Sequence, residues 1–270
     1  MRFTVLGAPG FIGSHLAAGL RALGHECMTP NRDELDHLPG DLGHVFYCIG
    51  LTADFRVRPF DTVRAHVGVL ADILERATFQ SLLYISSTRV YAGSNSGAED
   101  SLLCAHPPNP NDLYNLSKMT GECLCFATGH AAVRVARVSN VYGDDFSSDN
   151  FLASLIRDAV DNGHLRLETS LESNKDYVGM KDLVFLLPAI TTSGRYRVYN
   201  VASGRNISHR ELVSELQRAS GCSFSVCEDA PVLQFPTVHV QRIKEEFGFA
   251  AGSLLEELPG LVQAYRKQRV

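Results

Sequence analysis

Residues 2–23 read RFTVLGAPGFIGSHLAAGLRAL, and the pattern of apolar residues changes within this stretch. Arg2 to Leu6 is a short apolar run that stops at Gly7. From Gly10 to Leu23 the apolar residues recur at close to helical spacing. The stretch therefore predicts a strand, a tight turn and a helix.

The same alternation continues along the chain. Further strands are predicted at Glu26–Thr29, Val45–Ile49, Ser81–Ser86 and Ala132–Arg137, and helices at Thr62–Ala77 and Asn111–Thr128. Strands and helices that alternate across short turns predict a parallel sheet covered on both faces, which is the α/β class.

After Gly143 the pattern is less regular. Helices are predicted at Asn150–Asn162, Met180–Thr191, from Ser208 to Ser220 behind a Ser208/Glu211 capping box, and once or twice within Gln241–Gln268; strands are predicted at Leu165–Leu167, Lys175–Val178 and Arg195–Val201. We expect a smaller, mostly helical C-terminal lobe that packs against the sheet.

Composition and charge exclude several classes of protein. The chain has 270 residues, 45% of them apolar, and a net charge of −5 without a dense run of Lys and Arg. Disorder, collagen and coiled coils are excluded, and no nucleic-acid partner or anionic membrane surface is expected. The longest apolar run, Leu183–Ile190, is too short to span a bilayer, and we interpret no segment as a targeting signal.

The cysteine count is odd. Seven cysteines occur without the paired C-x-x-C spacing of a zinc or redox site. We therefore expect reduced thiols, no metal centre and a cytoplasmic location.

The turn after the first strand predicts a phosphate site. Gly7, Gly10 and Gly13 are three residues apart, and small residues here let the backbone approach a pyrophosphate at the helix N-terminus. Gly7, Gly10, Phe11, Ile12, Gly13 and, after the third strand, Gly50 are the candidate dinucleotide-binding residues. The alternative is an ordinary glycine-rich turn. We predict a Rossmann-type doubly wound sheet, with residues 1–145 as the dinucleotide-binding domain, to which 174–203 contributes, and 146–173 with 204–270 as the substrate lobe.

The end of the second strand bears on the choice of dinucleotide. Asn31 does not repel a phosphate and Arg32 can grip one with two N–H groups, which favours NADP over NAD. The alternative is that Arg32 is a solvated loop residue and that Asp33 holds the ribose of NAD.

A Tyr, a Lys and a hydroxyl cluster form the candidate catalytic group. Tyr114 and Lys118 are four residues apart on one helix face, and a nearby ammonium group favours the phenolate. Ser86, Ser87 and Thr88 follow the fourth strand at the edge of the sheet where ligands bind in such folds. For these residues, the alternatives are a surface Tyr stacked on a Lys and ordinary turn hydroxyls.

These motifs resemble the extended short-chain dehydrogenase/reductase family, in its nucleotide-sugar epimerase, dehydratase and reductase branch. The matching segments are the glycine turn, Ser87 to Gly93, Tyr114 to Glu122, Arg137 to Gly143, Lys175 to Leu183 and Tyr199 to Gly204. The resemblance implies that Ser87, Tyr114 and Lys118 are catalytic, that Tyr114 and Lys118 also bind the cofactor, and that Ser87, Thr88, Asn140 and Lys175 bind substrate. It further implies a homodimer formed through the helices in 60–77 and 111–128.

The chain departs from the family pattern at informative positions. Thr88 and Arg89 replace the Asp-Glu pair of members that dehydrate, and Arg89 stands where other epimerases have a Cys. Lys175 replaces a diphosphate-binding Arg, and the later R-x-x-D element has no match around Phe235 to Val240. Simple hydride transfer fits these departures best.

The resulting hypothesis is an NAD(P)-dependent reductase or 4-epimerase of a nucleotide-linked sugar. Two alternatives stay open. One is an NADP-dependent reductase of a small carbonyl or alcohol without a nucleotide, and the other is a non-catalytic dinucleotide sensor.

Overall fold

The computed structural model describes residues 1–38, 40–52, 54–147 and 150–269. The strands are β1 (Arg2–Leu6), β2 (Glu26–Met28), β3 (His44–Tyr47), β4 (Ser81–Ser87), β5 (Val133–Val138), β6 (Asn140–Tyr142), β7 (His164–Leu167), β8 (Asn174–Gly179), β9 (Val198–Val201), β10 (Asn206–Ser208) and β11 (Ser223–Val226). The α-helices are α1 (Phe11–Ala22), α2 (Pro59–Val63), α3 (Val69–Arg76), α4 (Asp112–Ala127), α5 (Phe151–Asp161), α6 (Met180–Ser193), α7 (His209–Ser220), α8 (Gln241–Phe247) and α9 (Leu254–Gln268). In this part of the chain, none of the helices is both long and apolar enough to cross a membrane.

A six-stranded sheet forms the centre of the fold. Its order is β2-β1-β3-β4-β5-β9, and all neighbouring pairs are parallel. Strand β1 lies between β2 and β3, so the chain order reverses beside it. In such sheets the crevice at the carboxyl ends of the strands, at this reversal, is where ligands bind.

Both faces of the sheet are covered by helices. On one face, α1 and α6 pack on the strands through side chains such as Leu16, Leu20, Leu183 and Leu187. On the other face, α3, with Leu70, and α4, with Cys125, form a separate core with buried residues of β3, β4 and β5. The predicted α/β class and doubly wound parallel sheet are confirmed.

A second core lies outside the central sheet. It joins α5, α7 and α9 with β7 and β8. Two small sheets, β10-β8-β6 and β11-β7, accompany these helices. The short strands β6, β10 and β11, which all lie outside the central sheet, were not predicted. Residues 148, 149 and 270 of the predicted lobe lie outside the described residues.

The predicted helix at Thr62–Ala77 is divided into α2, a π-helix at Arg64–Gly68, and α3. Two buried tyrosines satisfy carbonyl groups in the π-helix. Tyr47 donates to the carbonyl oxygen of Ala65 at 2.6 Å, and Tyr84 donates to that of His66 at 3.3 Å. Insertions of this kind are often found at functional sites, and this one places the His66 ring toward α4.

Candidate active site

The turn between β1 and α1 leaves N–H groups free for an anion. Gly10 is the N-cap of α1, and no side chain caps the helix. The first turn of α1 contains no acidic residue, so the positive end of the helix dipole is uncompensated. The turn is closed by a hydrogen bond from Gly10 N to Gly7 O at 3.0 Å.

Glycine is required at two positions of this turn. Gly7 has a φ of +87°, and a Cβ there would lie 2.8 Å from the backbone of Cys48. A Cβ at Gly13 would lie 2.3 Å from Gly7 O. At Gly10 a Cβ would approach only Gly7 O, at 3.3 Å, a tight contact that a small shift of the turn would relieve. The cradle fits the pyrophosphate of a dinucleotide.

The segment after β2 lies beside a cleft of about 310 Å³, which is lined by Ala8, Pro9, Ser14, Ala17, Arg21, Thr29, Pro30 and Asn31. Asn31 caps the short 3-10 helix at Arg32–His37, because its Oδ1 accepts from the N–H groups of Asp33 and Glu34. Arg32 is exposed and makes no ion pair with any described residue. Arg32 is therefore available to an incoming phosphate, whereas the side-chain oxygen of Asn31 is already engaged.

Tyr114 lies on α4 at the carboxyl edge of the sheet and is 4% exposed. Its phenol lies close to the side chains of Ser87, the last residue of β4, and Thr52, in the segment after β3. Burial raises the pKa of Tyr114 above its ordinary value, while the polar side chains of Ser87 and Thr52 and the charge of Arg89 act to lower it. In this structure the neutral phenol is the favoured form.

Lys118 lies one helical turn after Tyr114 but does not lower the Tyr114 pKa as its spacing predicted. Its ammonium group donates to the carbonyl oxygen of Ile85 at 2.8 Å and lies 5.0 Å from the centre of the Tyr84 ring. Burial lowers the pKa of Lys118 to about 8. The helix spacing suggested a contact between the two side chains, but in the folded chain the Lys118 ammonium group is bound by a carbonyl oxygen of β4 and not by the Tyr114 phenol.

Gly50 lies close to the same lysine. A Cβ at Gly50 would be 3.1 Å from His66 Nε2 and 3.5 Å from Lys118 Nζ. Residue 50, in the segment after β3, therefore has to be small for the chain to pass between the His66 and Lys118 side chains. The predicted cofactor-binding residue Gly50 is therefore a neighbour of Lys118, the predicted catalytic lysine.

His66 connects the segment after β3 with α4. Leu51 N donates to His66 Nε2 at 3.3 Å, and His66 Nδ1 lies 2.8 Å from Ser117 Oγ. Ser117 in turn donates to the carbonyl oxygen of Tyr114 at 2.9 Å, and the His66 ring meets the Tyr114 ring edge-on at 5.2 Å. Burial lowers the pKa of His66 to about 2, so it stays neutral. No motif in the sequence pointed to this network.

Arg89 is a further cation at the site. It lies in the 3-10 helix at Thr88–Tyr91, directly after Ser87, which caps that helix by accepting from Arg89 N at 3.2 Å. Its guanidinium lies 5.3 Å from the centre of the Tyr114 ring and 4.9 Å from that of Phe55. The sequence marked Arg89 only as a departure from relatives, and Thr52 and Phe55 gave no signal.

The predicted substrate-binding residues have different surroundings. Thr88 is buried beside Ser87. Asn140 is exposed and donates to the carbonyl oxygen of Asp176 at 2.8 Å. Lys175, on β8, lies with its Nζ 4.2 Å from the centre of the Phe151 ring, and burial lowers its pKa to about 8. The charge of Arg89 contributes to this lowering, so Lys175 and Arg89 face a common region.

Several residues of the family-like motifs stabilise the edge of the sheet and do not reach the candidate active site. Glu122 Oε2 and Arg137 Nη2 form a buried ion pair at 2.6 Å, and Ser86 donates to Glu122 Oε1 at 2.6 Å. Arg137 also donates to Tyr91 Oη at 2.8 Å, and Tyr91 donates to Asn200 at 2.8 Å. Burial opposes the charge of Arg137, but its bonds with Glu122 raise its pKa above the ordinary value. These residues join three strands (β4, β5 and β9), α4 and the 3-10 helix at Thr88–Tyr91 into one polar network.

All seven cysteines are free thiols. Among the residues that the structure describes, no group of three or more His, Cys, Asp and Glu side chains could hold a metal ion.

The sequence is similar to a known protein family and to individual enzymes. Residues 3–202 match the profile of the NAD dependent epimerase/dehydratase family. The dTDP-glucose 4,6-dehydratase of Streptomyces griseus is 30% identical over 221 residues, which cover 77% of this chain and 66% of that protein, just under two thirds. The GDP-6-deoxy-D-mannose reductase of Pseudomonas aeruginosa is 26% identical over 264 residues, covering 84% of this chain and 83% of that protein.

Solved structures share the fold. TunA, an NAD dependent NDP-hexosamine 5,6-dehydratase, superposes with a TM-score of 0.86 at 21% identity and covers 98% of each chain. RMD from Pseudomonas aeruginosa, complexed with NADPH, superposes with a TM-score of 0.78 at 22% identity, over 99% of this chain and 100% of that one.

Proposed function

Because this chain belongs to the NAD dependent epimerase/dehydratase family, we propose that it is an NAD(P)-dependent oxidoreductase acting on a nucleotide-linked sugar. The reaction is hydride transfer at C4, as 4-keto reduction or 4-epimerisation. The observation that carries the proposal is the closeness of the buried Tyr114 phenol to Ser87 and Thr52, in a fold whose first strand ends in an uncapped glycine turn.

The proposed catalytic residues are Ser87, Tyr114 and Lys118. Ser87 orients the sugar oxygen, Tyr114 exchanges a proton with it, and Lys118 binds the ribose next to the nicotinamide. The dinucleotide, when bound, supplies or accepts the hydride. Because burial raises the pKa of Tyr114, its phenol is protonated and suited to donate to a forming alkoxide. This favours reduction of a ketone as the faster direction.

Gly7, Gly10, Phe11, Ile12, Gly13 and Gly50 are proposed to hold the dinucleotide, with Arg32 gripping a 2′-phosphate. The exposed and unpaired state of Arg32 within the described chain supports NADP. Asn31 takes part by holding the helix that carries Arg32, since its side chain caps that helix. NAD is the alternative, because relatives of known structure contain either dinucleotide.

Thr88, Asn140 and Lys175 are proposed to contact the substrate. Residues 1–145 with 174–203 would form the dinucleotide-binding domain, and 146–173 with 204–270 the substrate lobe. Elimination of water is not proposed, although relatives are dehydratases. Thr88 and Arg89 cannot act as the acid and base that dehydration requires, because neither side chain exchanges a proton readily near neutral pH.

The experiment has two arms. The purified protein is denatured and its extract is examined by mass spectrometry for NAD(H) or NADP(H). It is then mixed with NADPH and a dTDP- or GDP-4-keto-6-deoxyhexose while the nicotinamide absorbance is followed. Consumption by the native protein but not by Tyr114→Phe supports a reductase. Retained NAD with interconversion of 4-epimers supports an epimerase. No turnover of any nucleotide-linked sugar contradicts the proposal.

The two alternatives give other results in the same experiment. A small-carbonyl reductase would consume NADPH with simple ketones but not with nucleotide sugars. A dinucleotide sensor would bind NADP(H) and keep that binding in Tyr114→Phe without any turnover.

We also propose a cytoplasmic homodimer. The free cysteines support a reducing compartment. Phe60 and Val63, on α2, are 82% and 40% exposed. A second copy would remove these apolar side chains from water. Light scattering should give twice the chain mass, and Phe60→Glu should give the monomer mass.

A further inference from the structure

A group of cations surrounds the ring of Phe55 at the candidate active site. The Arg89 guanidinium lies 4.9 Å from the centre of this ring, and the Arg56 guanidinium lies 4.5 Å from it. Arg89 also lies over Tyr114, and the Phe55 and Tyr114 rings are tilted against each other with centres 5.5 Å apart. The two rings therefore hold the guanidinium of Arg89 in one place beside the reacting phenol.

No acidic side chain that the structure describes neutralises Arg89. Within the described chain, no carboxylate forms an ion pair with it. Asp112 is near enough to raise its pKa slightly, but burial has the larger effect and lowers it. Both oxygens of Asp112 are engaged, since Oδ2 accepts from His106 N at 2.8 Å and Oδ1 accepts from Asn115 Nδ2 at 3.4 Å. The Arg89 charge is thus free to meet an external anion.

Lys175 adds a second uncompensated charge. Its ammonium group lies over the Phe151 ring and has no ion-pair partner among the residues described. Burial lowers the pKa of both groups, and the nearby charge of Arg89 lowers the pKa of Lys175 further. The net charge of the chain is −5, so this positive region is a local feature. It points to a ligand with more than one negative group.

We propose that Arg89 binds a carboxylate carried by the sugar ring of the substrate, so that the preferred substrate is a nucleotide-linked sugar acid. The inference rests on the proposed function. Arg89 lies against the ring of Tyr114, the group that meets the sugar oxygen, and so it faces the sugar and not the nucleotide. Lys175, on β8, then meets the diphosphate. A guanidinium matches a carboxylate with two parallel N–H groups, which a neutral hydroxymethyl group cannot use.

The test compares matched pairs of ligands that differ only in whether the sugar ring carries a carboxylate or a neutral hydroxymethyl group. Binding of UDP-glucuronic acid and UDP-glucose, and of GDP-mannuronic acid and GDP-mannose, is measured by calorimetry with dinucleotide-loaded protein. The native protein should bind the acid of at least one pair more tightly by on the order of 10-fold to 100-fold, the usual effect of a charged bidentate contact. Arg89→Met should abolish this preference and leave the affinity for the neutral sugar within about 2-fold, since methionine still packs on the rings.

Arg56→Met is the matched control. It removes a guanidinium from the same Phe55 ring, but Arg56 donates to Asn111 and does not lie over Tyr114. The preference for the acid should remain in this variant.

The outcomes separate the inference from the proposed function. Equal affinity of the native protein for acid and neutral sugar overturns the inference, while turnover of a neutral keto sugar would still support the proposed function. Equal weakening of both ligands by Arg89→Met also overturns it, because Arg89 would then contact the part that both share. Failure of all four ligands to bind contradicts the inference and the proposed function together.

Discussion

Nδ1 of His66 lies 2.8 Å from Oγ of Ser117, and the direction of this hydrogen bond is determined by the rest of the network. Leu51 N can only donate to Nε2, so His66 carries its proton on Nδ1 and donates to Ser117. Ser117 then donates to the carbonyl oxygen of Tyr114. Each donor has one acceptor, so the segment after β3 and the helix of Tyr114 are held in a single relative position.

Replacing His66 should therefore lower catalytic rate more than ligand affinity. His66→Leu removes both hydrogen bonds and moves Thr52 away from the Tyr114 phenol. We expect kcat to fall on the order of 10-fold to 100-fold, because a displacement of about 1 Å has this effect, with little change in KM. Steady-state kinetics with the substrate identified above would measure it.

Two variants test whether His66 acts by positioning. His66→Gln can accept from Leu51 N through its amide oxygen, so it should recover part of kcat. Ser117→Ala keeps the bond to Leu51 and should be intermediate. A uniform loss of folded protein in all three variants, with unchanged kcat per folded molecule, would mean that the network serves stability alone.

The local pattern predicted most of the candidate site because its main residues follow strands or share one helix face. Ser87 ends a strand, and Tyr114 and Lys118 are one turn apart, so spacing alone places them. His66, Thr52 and Arg89 come from three other segments. Their meeting depends on tertiary packing that no local period records.

The pKa shifts of the site residues could not be predicted from the local sequence either. The spacing of Tyr114 and Lys118 predicted a lowered tyrosine pKa, but burial raises it and β4 holds the ammonium group. The π-helix was missed for a related reason. It is supported by Tyr47 and Tyr84, which lie on β3 and β4, outside the segment itself.

The lowered pKa of Lys118 predicts a pH dependence for dinucleotide binding. Burial lowers this pKa from 10.5 to about 8, so the ammonium group loses its proton as pH rises through about 8. Affinity for NADP(H), measured by nicotinamide fluorescence, should fall over that range. Lys118→Arg should move the fall to higher pH, because a guanidinium remains charged.

Stability should change in the opposite direction with pH. Between about 8 and 10.5 the unfolded chain holds the Lys118 proton and the folded chain does not, so the free energy of unfolding rises with pH in this window.

The pH dependence of dinucleotide binding needs a control, because Lys175 has a similar pKa of about 8. If Lys175→Arg moves the binding profile and Lys118→Arg does not, the assignment to Lys118 is wrong.

The buried pair of Glu122 and Arg137 predicts a large loss of stability. Glu122→Gln leaves the Arg137 charge without a counterion, in a position where its side chain is 5% exposed. Breaking such a pair costs about 3–5 kcal/mol. Chemical denaturation should show this decrease in the free energy of unfolding.

Asp72→Asn is the matched control for this change. Asp72 pairs with Arg76 at 3.5 Å, but their side chains are 60% and 71% exposed. Exposed pairs of this kind contribute about 0–1 kcal/mol. Similar losses in Glu122→Gln and Asp72→Asn would contradict the role given to burial.

Gly121 allows α4 to approach the π-helix. A Cβ at this position would lie 2.5 Å from the Tyr84 hydroxyl oxygen and 2.9 Å from the carbonyl oxygen of His66. Gly121→Ala must therefore push the two elements apart, which typically costs about 1–3 kcal/mol. Because the hydrogen bond from His66 to Ser117 crosses this contact, kcat should fall as it does in His66→Leu.

Gly260→Ala provides the comparison. Gly260 lies within α9, and a Cβ there would meet no atom within 4 Å. Alanine should raise the free energy of unfolding by about 0.5–1 kcal/mol, through its higher helix propensity, and leave kcat unchanged. If Gly121→Ala is as stable and as active as Gly260→Ala, close packing between α4 and the π-helix does not determine the position of Tyr114.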